Sequence, residues 1–454
     1  MASFAFLAAP FALMAWPRPI VDGTHAKLEY AEGSRDLLVI FSSRSTQKFQ
    51  YAGTFADAKI NKLFLVDRTG LSWYQEGVPG FADDLVGIAQ RIRELKRLNR
   101  FKTVTCFGAS MGGYAAIVVG ALAKVDRVVS VSPQVVFHRG WDLTPPQSTP
   151  LAEISTSKLV REAKKTRFEI LTSSELLDVY HASLLSELPN VKVAVAQSGH
   201  NVLKDWKING ILGPSVTSIV IGGEPVSNYS DVRIKTLAIK DRLKACLAAY
   251  YRRDFAASAD LGRQILKFCP DWFDANAMVG VSYFNLKRFS LAIPYLSRAH
   301  TIYSLNRSIY PALIVSHIKQ DSPARAQELV AEYTGLLEAD GEDVAGALSK
   351  LAGVAFNSSA HEFSIRLRNT LRTDHGRNTV MDVYLTGRSL TAMDREEAAK
   401  ECFEQVLARA AELKPKERWV VDKARERLSQ VGALLTFLLV AAEEWLAPAW
   451  AALL

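Results

Sequence analysis

Cysteine is scarce in this chain: four in 454 residues, at positions 106, 246, 269 and 402. No pair forms a C-x-x-C, and no Cys/His cluster has metal-ligand spacing, which excludes a disulfide scaffold and a zinc module. Buried, reduced thiols in a cytoplasmic protein are the expectation, with no metal site. Basic runs interleaved with aromatics are missing too, although the formal net charge is +8. Lys164-Lys165 and Arg252-Arg253 read as solvated surface, so no nucleic-acid partner is expected. Neither apolar end makes a convincing membrane span. Met1 to Trp16 is too short to cross a bilayer and lacks the basic region and cleavage site of a signal peptide. Leu434 to Leu454 is long enough but interrupted by Glu443, Glu444 and Pro448. It reads as a packed or interfacial helix, and membrane contact through it is not favoured.

What remains is a chain of ordinary globular composition, 49% apolar and 22% charged, long enough for two or three domains. Its first half alternates strand and helix signals. Short apolar runs at 36–42, 62–67, 104–107, 126–132, 167–172 and 191–196 read as strands. Between them, Asp83 to Leu98 carries Leu85, Ile88, Ile92 and Leu95 at helical spacing, and Leu176 to Leu188 is helix-like. The pattern predicts an α/β domain with a mostly parallel sheet covered on both faces. In such a domain the site gathers at the carboxyl ends of the strands.

From about Arg233 the strand signal stops. Self-comparison at an offset of 34 residues aligns Phe255 with Phe289, Cys246 with Gly280, and Ser258 with Ala292 and Ala326. Gly280, Tyr283, Ala292, Leu296 and Ala299 have tetratricopeptide spacing, and Gly387, Ala399 and Phe403 mark a further unit. Small residues at those places allow paired helices to cross closely. The stretch from Val330 to Arg377 is helical but fits the repeat poorly, and a plain helical bundle is the alternative. The expected organisation is an apolar segment over 1–26, an α/β domain over 27–221 and a linker over 222–232. An all-α, repeat-like domain over 233–432 and an apolar helix over 433–454 follow.

Within the α/β half, Gly108-Ala-Ser-Met-Gly-Gly113 lies between a buried strand and an alanine-rich helix. Strand, G-x-S-x-G, helix is the context of a nucleophile elbow, a turn so tight that the residues flanking the serine must lack side chains. Read this way, Ser110 projects from the sheet and the backbone N–H of Met111 points to the same place. A serine that merely caps the helix is the competing reading. A nucleotide-binding loop is a third, weaker reading, since no P-loop lysine follows and the spacing is wrong for a dinucleotide fingerprint.

A serine hydroxyl needs a neighbouring base. Of eight histidines, His200 follows a strand and a Ser198-Gly199 turn, where the last strand of this topology delivers a histidine to the elbow. His138 precedes a loop that reads as a lid, and His181 lies inside a helix. A carboxylate between Ser110 and His200 should orient the imidazole, with Asp178 preferred and Glu175 in reserve. The oxyanion donors would be the N–H of Met111 and that of Ser42 or Ser43. Trp73 and Tyr74 either line an acyl or sugar pocket or pack within their loop.

Ser110 to Ala116 (Ser-Met-Gly-Gly-Tyr-Ala-Ala), with Gly199-His200-Asn201, resembles the α/β-hydrolase superfamily. The pattern Asp67…Trp73-Tyr-Gln75…Gly77…Pro79-Gly80, with Ser130-Val-Ser-Pro-Gln134, is similar to a bacterial subgroup. Its members carry tetratricopeptide repeats and are associated with glycan or surface-polysaccharide pathways. The resemblance implies a serine esterase, deacylase or acyltransferase without metal or organic cofactor, acting on an acyl ester or a glycan, with a protein partner on the helical half. The chain departs from the pattern in lacking His-Gly at the oxyanion strand and in reading Thr-Ser-Ser-Glu where Gly-x-x-Asp is usual. An interaction scaffold with an inert hydrolase-like domain is the alternative from another class.

Overall fold

The computed structural model describes residues 23–137 (apart from 45 and 47), 154–230 and 236–430. The apolar ends, His138 and its loop lie outside the described residues. Seven strands form one sheet: β1 (Ala26–Glu29), β2 (Asp36–Phe41), β3 (Asn61–Leu65), β4 (Thr103–Ala109), β5 (Arg127–Val131), β6 (Arg167–Ser173) and β7 (Val191–Ala196). Their order is β1-β3-β2-β4-β5-β6-β7. Only β1 runs antiparallel, against β3. Six of these strands match the apolar runs; β1 has no apolar run of its own.

Alternation within the strands feeds two cores. Leu37, Val39 and Phe41 of β2 face one side, while Leu38 and Ile40 face the other, as the two-residue period of a strand demands. Helices α1 (Leu85–Leu98), α2 (Met111–Ala123), α3 (Thr156–Glu162) and α4 (Leu176–Ser183) accompany the strands, followed by α5 (Val202–Ile208) and α6 (Leu212–Val220). The first core takes its helical side from α1 and α2 and the second from α5 and α6. Asp84 caps α1 by accepting the Gly87 N–H, satisfying one of the donors a helix start leaves open. Arg127, buried in β5, bridges Glu169 of β6 at 2.6 Å and donates to the Ile219 carbonyl at the end of α6.

The rest is helical: α7 (Thr236–Tyr251), α8 (Phe255–Leu266), α9 (Phe273–Asn285), α10 (Phe289–Ile302), α11 (Tyr310–Lys319), α12 (Pro323–Ala339), α13 (Val344–Asn357), α14 (His361–Asp374), α15 (Val380–Thr391) and α16 (Glu396–Ala408). These make repeat-like antiparallel hairpins. A Cβ at Gly280 would lie 2.6 Å from Leu296, and one at Gly387 would lie 2.9 Å from Phe403. The small residues therefore do mark close helix crossings. Pairing of α11 with α12 and of α13 with α14 continues through the stretch whose sequence fits the repeat poorly. The chain divides into two compact units at 275/276, with α7 and α8 on the sheet's side of the division. All four cysteines are free. Among the described residues, no helix is long and apolar enough to cross a membrane.

Candidate active site

Ser110 stands between β4 and α2 with φ 52° and ψ −119°, a conformation that costs a non-glycine residue on the order of 1–3 kcal/mol. The glycines around it are required by close approach. A Cβ on Gly108 would sit 2.3 Å from the Gly112 carbonyl oxygen, one on Gly112 equally near that of Phe41, and one on Gly113 at 2.7 Å from Ser130 Oγ. Helix and strand ends therefore pack backbone to backbone beneath the serine. The Ser110 N–H is tied to the Val131 carbonyl at 2.8 Å.

The structure brings Ser110, His200 and Asp178 together. His200 Nε2 lies 2.9 Å from Ser110 Oγ. Its Nδ1 lies 2.9 Å from both Asp178 oxygens. Asp178 occupies the first turn of α4 and is 1% exposed, whereas the His200 side chain keeps 24% exposure. Ser173 Oγ donates to Asp178 at 2.6 Å, leaving the carboxylate oriented from two sides.

Glu175 does not take the acid's place. Its Oε1 accepts the His200 backbone N–H at 2.8 Å, so it anchors the main chain of the residue whose ring Asp178 orients. Burial, and next the charges of Asp178 and Asp274, push the Glu175 carboxyl up to about 8. The Asp178 charge is the leading influence on His200 and, against burial, raises its imidazole to about 9; Glu175 adds to the rise and Arg44 opposes it. Ligand atoms of Glu175, Asp178 and His200 all lie within 4.8 Å of one another. A cation there would have to compete with the hydrogen bonds just described.

A cavity of about 300 Å³ opens over Ser110 and His200, walled by Ser43, Arg44, Gln50, Tyr51, Gln134 and Asn201. Of the expected oxyanion donors, Met111 opens α2, where the first N–H groups have no partner within the helix. The Ser42 N–H is spent on the Leu65 carbonyl at 3.0 Å. The Ser43 N–H faces a side chain instead, donating to Gln50 Oε1 at 2.7 Å. Sequence reasoning missed Gln50, because its place depends on the 43–50 loop folding back onto β2.

Trp73 and Tyr74 do not line this cavity; both are fully buried, which corrects the pocket expectation. Both have positive φ, 52° and 60°. Asp67 holds this turn by accepting the Tyr74 N–H at 2.6 Å and the Ser72 hydroxyl at 2.5 Å. The Tyr74 hydroxyl lies 2.9 Å from the carbonyl oxygens of both Ser42 and Leu65, and so buttresses the strand end next to Ser43. Aromatic residues in a loop carry no mark that separates such a buttress from a pocket wall.

No family model matches the chain, and no curated protein sequence does. Solved structures similar to it include the Glycosylation Associate Protein (Gap123) complex from Streptococcus agalactiae, at 16% identity and TM-score 0.33 over 44% of this chain and 45% of that one. The match thus spans less than half of that chain. The capsule O-acetyltransferase of Neisseria meningitidis serogroup A aligns at 14% identity and TM-score 0.34, covering 44% of this chain and 92% of that one. An alpha-beta serine hydrolase homologue from Coxiella burnetii aligns at 16% identity and TM-score 0.30, covering 44% and 90%.

Proposed function

We propose that this protein is a serine hydrolase, an esterase or deacylase, or an acyltransferase that works through an acyl-serine intermediate. The single observation that carries the reading is the unbroken Ser110–His200–Asp178 hydrogen-bond relay on a strained turn at the carboxyl ends of parallel strands. His200 Nε2 takes the Ser110 proton as Oγ attacks the ester carbonyl. Asp178 holds the imidazole in one orientation and stabilises its charged form. The carbonyl oxygen, now negative, is received by the N–H groups of Met111 and Ser43. The tetrahedral species collapses as His200 returns the proton to the departing alcohol. Water, or a sugar hydroxyl, then attacks the acyl-serine with His200 again as base.

One oxyanion donor is worth on the order of a hundred- to a thousandfold in rate. Ser43 supplies its share only once the Gln50 carboxamide has yielded its place. The cavity wall, with Arg44, Gln50, Gln134 and Asn201, suits a hydroxyl-rich acceptor such as a glycan better than a purely apolar chain. We place the protein in the cytoplasm and assign its helical hairpins to binding a protein partner or the carrier of the substrate.

A fluorophosphonate probe tests this directly. Ser110 is expected to be labelled, and Ser110→Ala to be inert. Absence of labelling in folded protein, with His200 titrating normally, would overturn the enzyme reading in favour of an interaction scaffold with an inert hydrolase-like half.

A further inference from the structure

Asp178 can orient His200 only if the start of α4 is held still, and the means of holding it comes from far along the chain. Glu175 is the N-cap residue of α4 but makes no side-chain cap bond, since its carboxylate is turned to the His200 main chain. The first N–H of the helix, that of buried Leu176, has no partner within the helix and lies outside the reach of an N-cap side chain, which serves the second or third N–H. Asp274 supplies the missing acceptor: its Oδ2 takes the Leu176 N–H at 2.6 Å. Two residues earlier, the fully buried Trp272 donates its indole N–H to the Ser174 carbonyl at 2.5 Å. These bonds grip the backbone on either side of Glu175, 98 residues away in sequence. α7 packs against α4 as well, and all these residues belong to the same compact unit as the sheet.

We propose that Trp272 and Asp274 are positioning residues of the Ser110–His200–Asp178 site: the segment opening α9 pins the backbone at the start of α4 and so sets the Asp178–His200 hydrogen bond. The inference rests on the functional reading above for its catalytic consequence, but its geometric content stands apart from catalysis. A stretch whose sequence belongs to the helical repeats completes the acid side of the site. Besides Asp178, the ionisable groups acting on His200 are Glu175 and Arg44; Asp274 acts on Glu175, and Asp178 acts on Asp274.

The test uses the full chain and three substitutions: Asp274→Ala, Asp274→Asn and Trp272→Phe. Asparagine keeps an acceptor for the Leu176 N–H without the charge, and phenylalanine keeps most of the indole's bulk without its donor. The first readout is the His200 pKa from imidazole NMR, assigned with His200→Gln, which needs no turnover. Asp274→Ala and Trp272→Phe should lower it as the Asp178 contact loosens, and Asp274→Asn should lower it less than Asp274→Ala. The second readout is the rate of phosphonate labelling of Ser110. It should fall about 10- to 100-fold for the first two variants, with the pH limb displaced downward and Asp274→Asn largely rescued. An unmoved His200 pKa in folded Asp274→Ala and Trp272→Phe overturns the inference, whatever the labelling. Wild-type protein that is never labelled, but whose His200 pKa falls in these variants, overturns the enzyme reading and leaves the positioning role standing.

Discussion

Replacing Ser110 by glycine rather than alanine separates the backbone of the elbow from its chemistry. Both substitutions delete the hydroxyl and its hydrogen bond to His200, so both should abolish phosphonate labelling. They differ in the backbone. At φ 52° and ψ −119° alanine retains a strain on the order of 1–3 kcal/mol, which glycine does not feel. Against that relief stands the greater freedom of glycine in the unfolded chain, about 0.4–1 kcal/mol. The balance makes Ser110→Gly more stable than Ser110→Ala by about 1 kcal/mol. In a unit of this size that corresponds to a melting difference of roughly 2–4 °C. Paired urea titrations of the two variants, followed by far-ultraviolet circular dichroism with m-values compared, measure it. A Ser110→Gly protein no more stable than Ser110→Ala would refute the argument that the serine is held in strain for a purpose.

Three other outcomes are expected. Asp178→Asn should lower the labelling rate about ten-thousandfold and move the rising limb of the pH profile down from near 9 toward the ordinary histidine value, because the Asp178 charge is what raises His200; an unmoved limb would contradict that cause. Gln50→Ala should speed labelling about fivefold, the worth of one hydrogen bond that the incoming oxygen no longer has to displace. Slower labelling would mean that the carboxamide assists the reaction. Glu175→Gln should flatten the pH dependence of stability. A carboxyl raised from 4.5 to about 8 binds its proton more tightly when folded, so its contribution falls as pH rises through that window, by about 1.4 kcal/mol per pH unit. Urea midpoints at pH 5.5, 7 and 8.5 measure the slope, and the same slope in the variant would assign it elsewhere.

The legible parts of this chain are those in which a local backbone conformation demands particular residues. Glycines at 108, 112 and 113 announce the elbow because no side chain fits between the strand end and α2. The six parallel strands announce themselves because most of their residues are buried, so each reads as an apolar run. β1 escaped for the opposite reason: of Ala-Lys-Leu-Glu only Ala26 is fully buried, and the strand needs no such run. In the helical half, Gly280 and Gly387 betray helix crossings because a Cβ there would collide with the partner helix.

What stayed hidden depends on which groups meet after folding. Nothing local distinguishes Gln50, whose carboxamide reaches the Ser43 N–H only because the intervening loop returns to β2. Glu175 stood in reserve to Asp178 because both follow the same strand and nothing local tells the two carboxylates apart. Its actual partner is a main-chain N–H 25 residues on. The Tyr74 hydroxyl steadies the Ser42 carbonyl from a turn held by Asp67. Polar contacts of this kind have no period and no composition, only a geometry. The same holds beside Asp178, where the first N–H of α4 is received by Asp274. Sequence therefore exposes Ser110 and its turn far more readily than the groups that hold His200 and Asp178 in place.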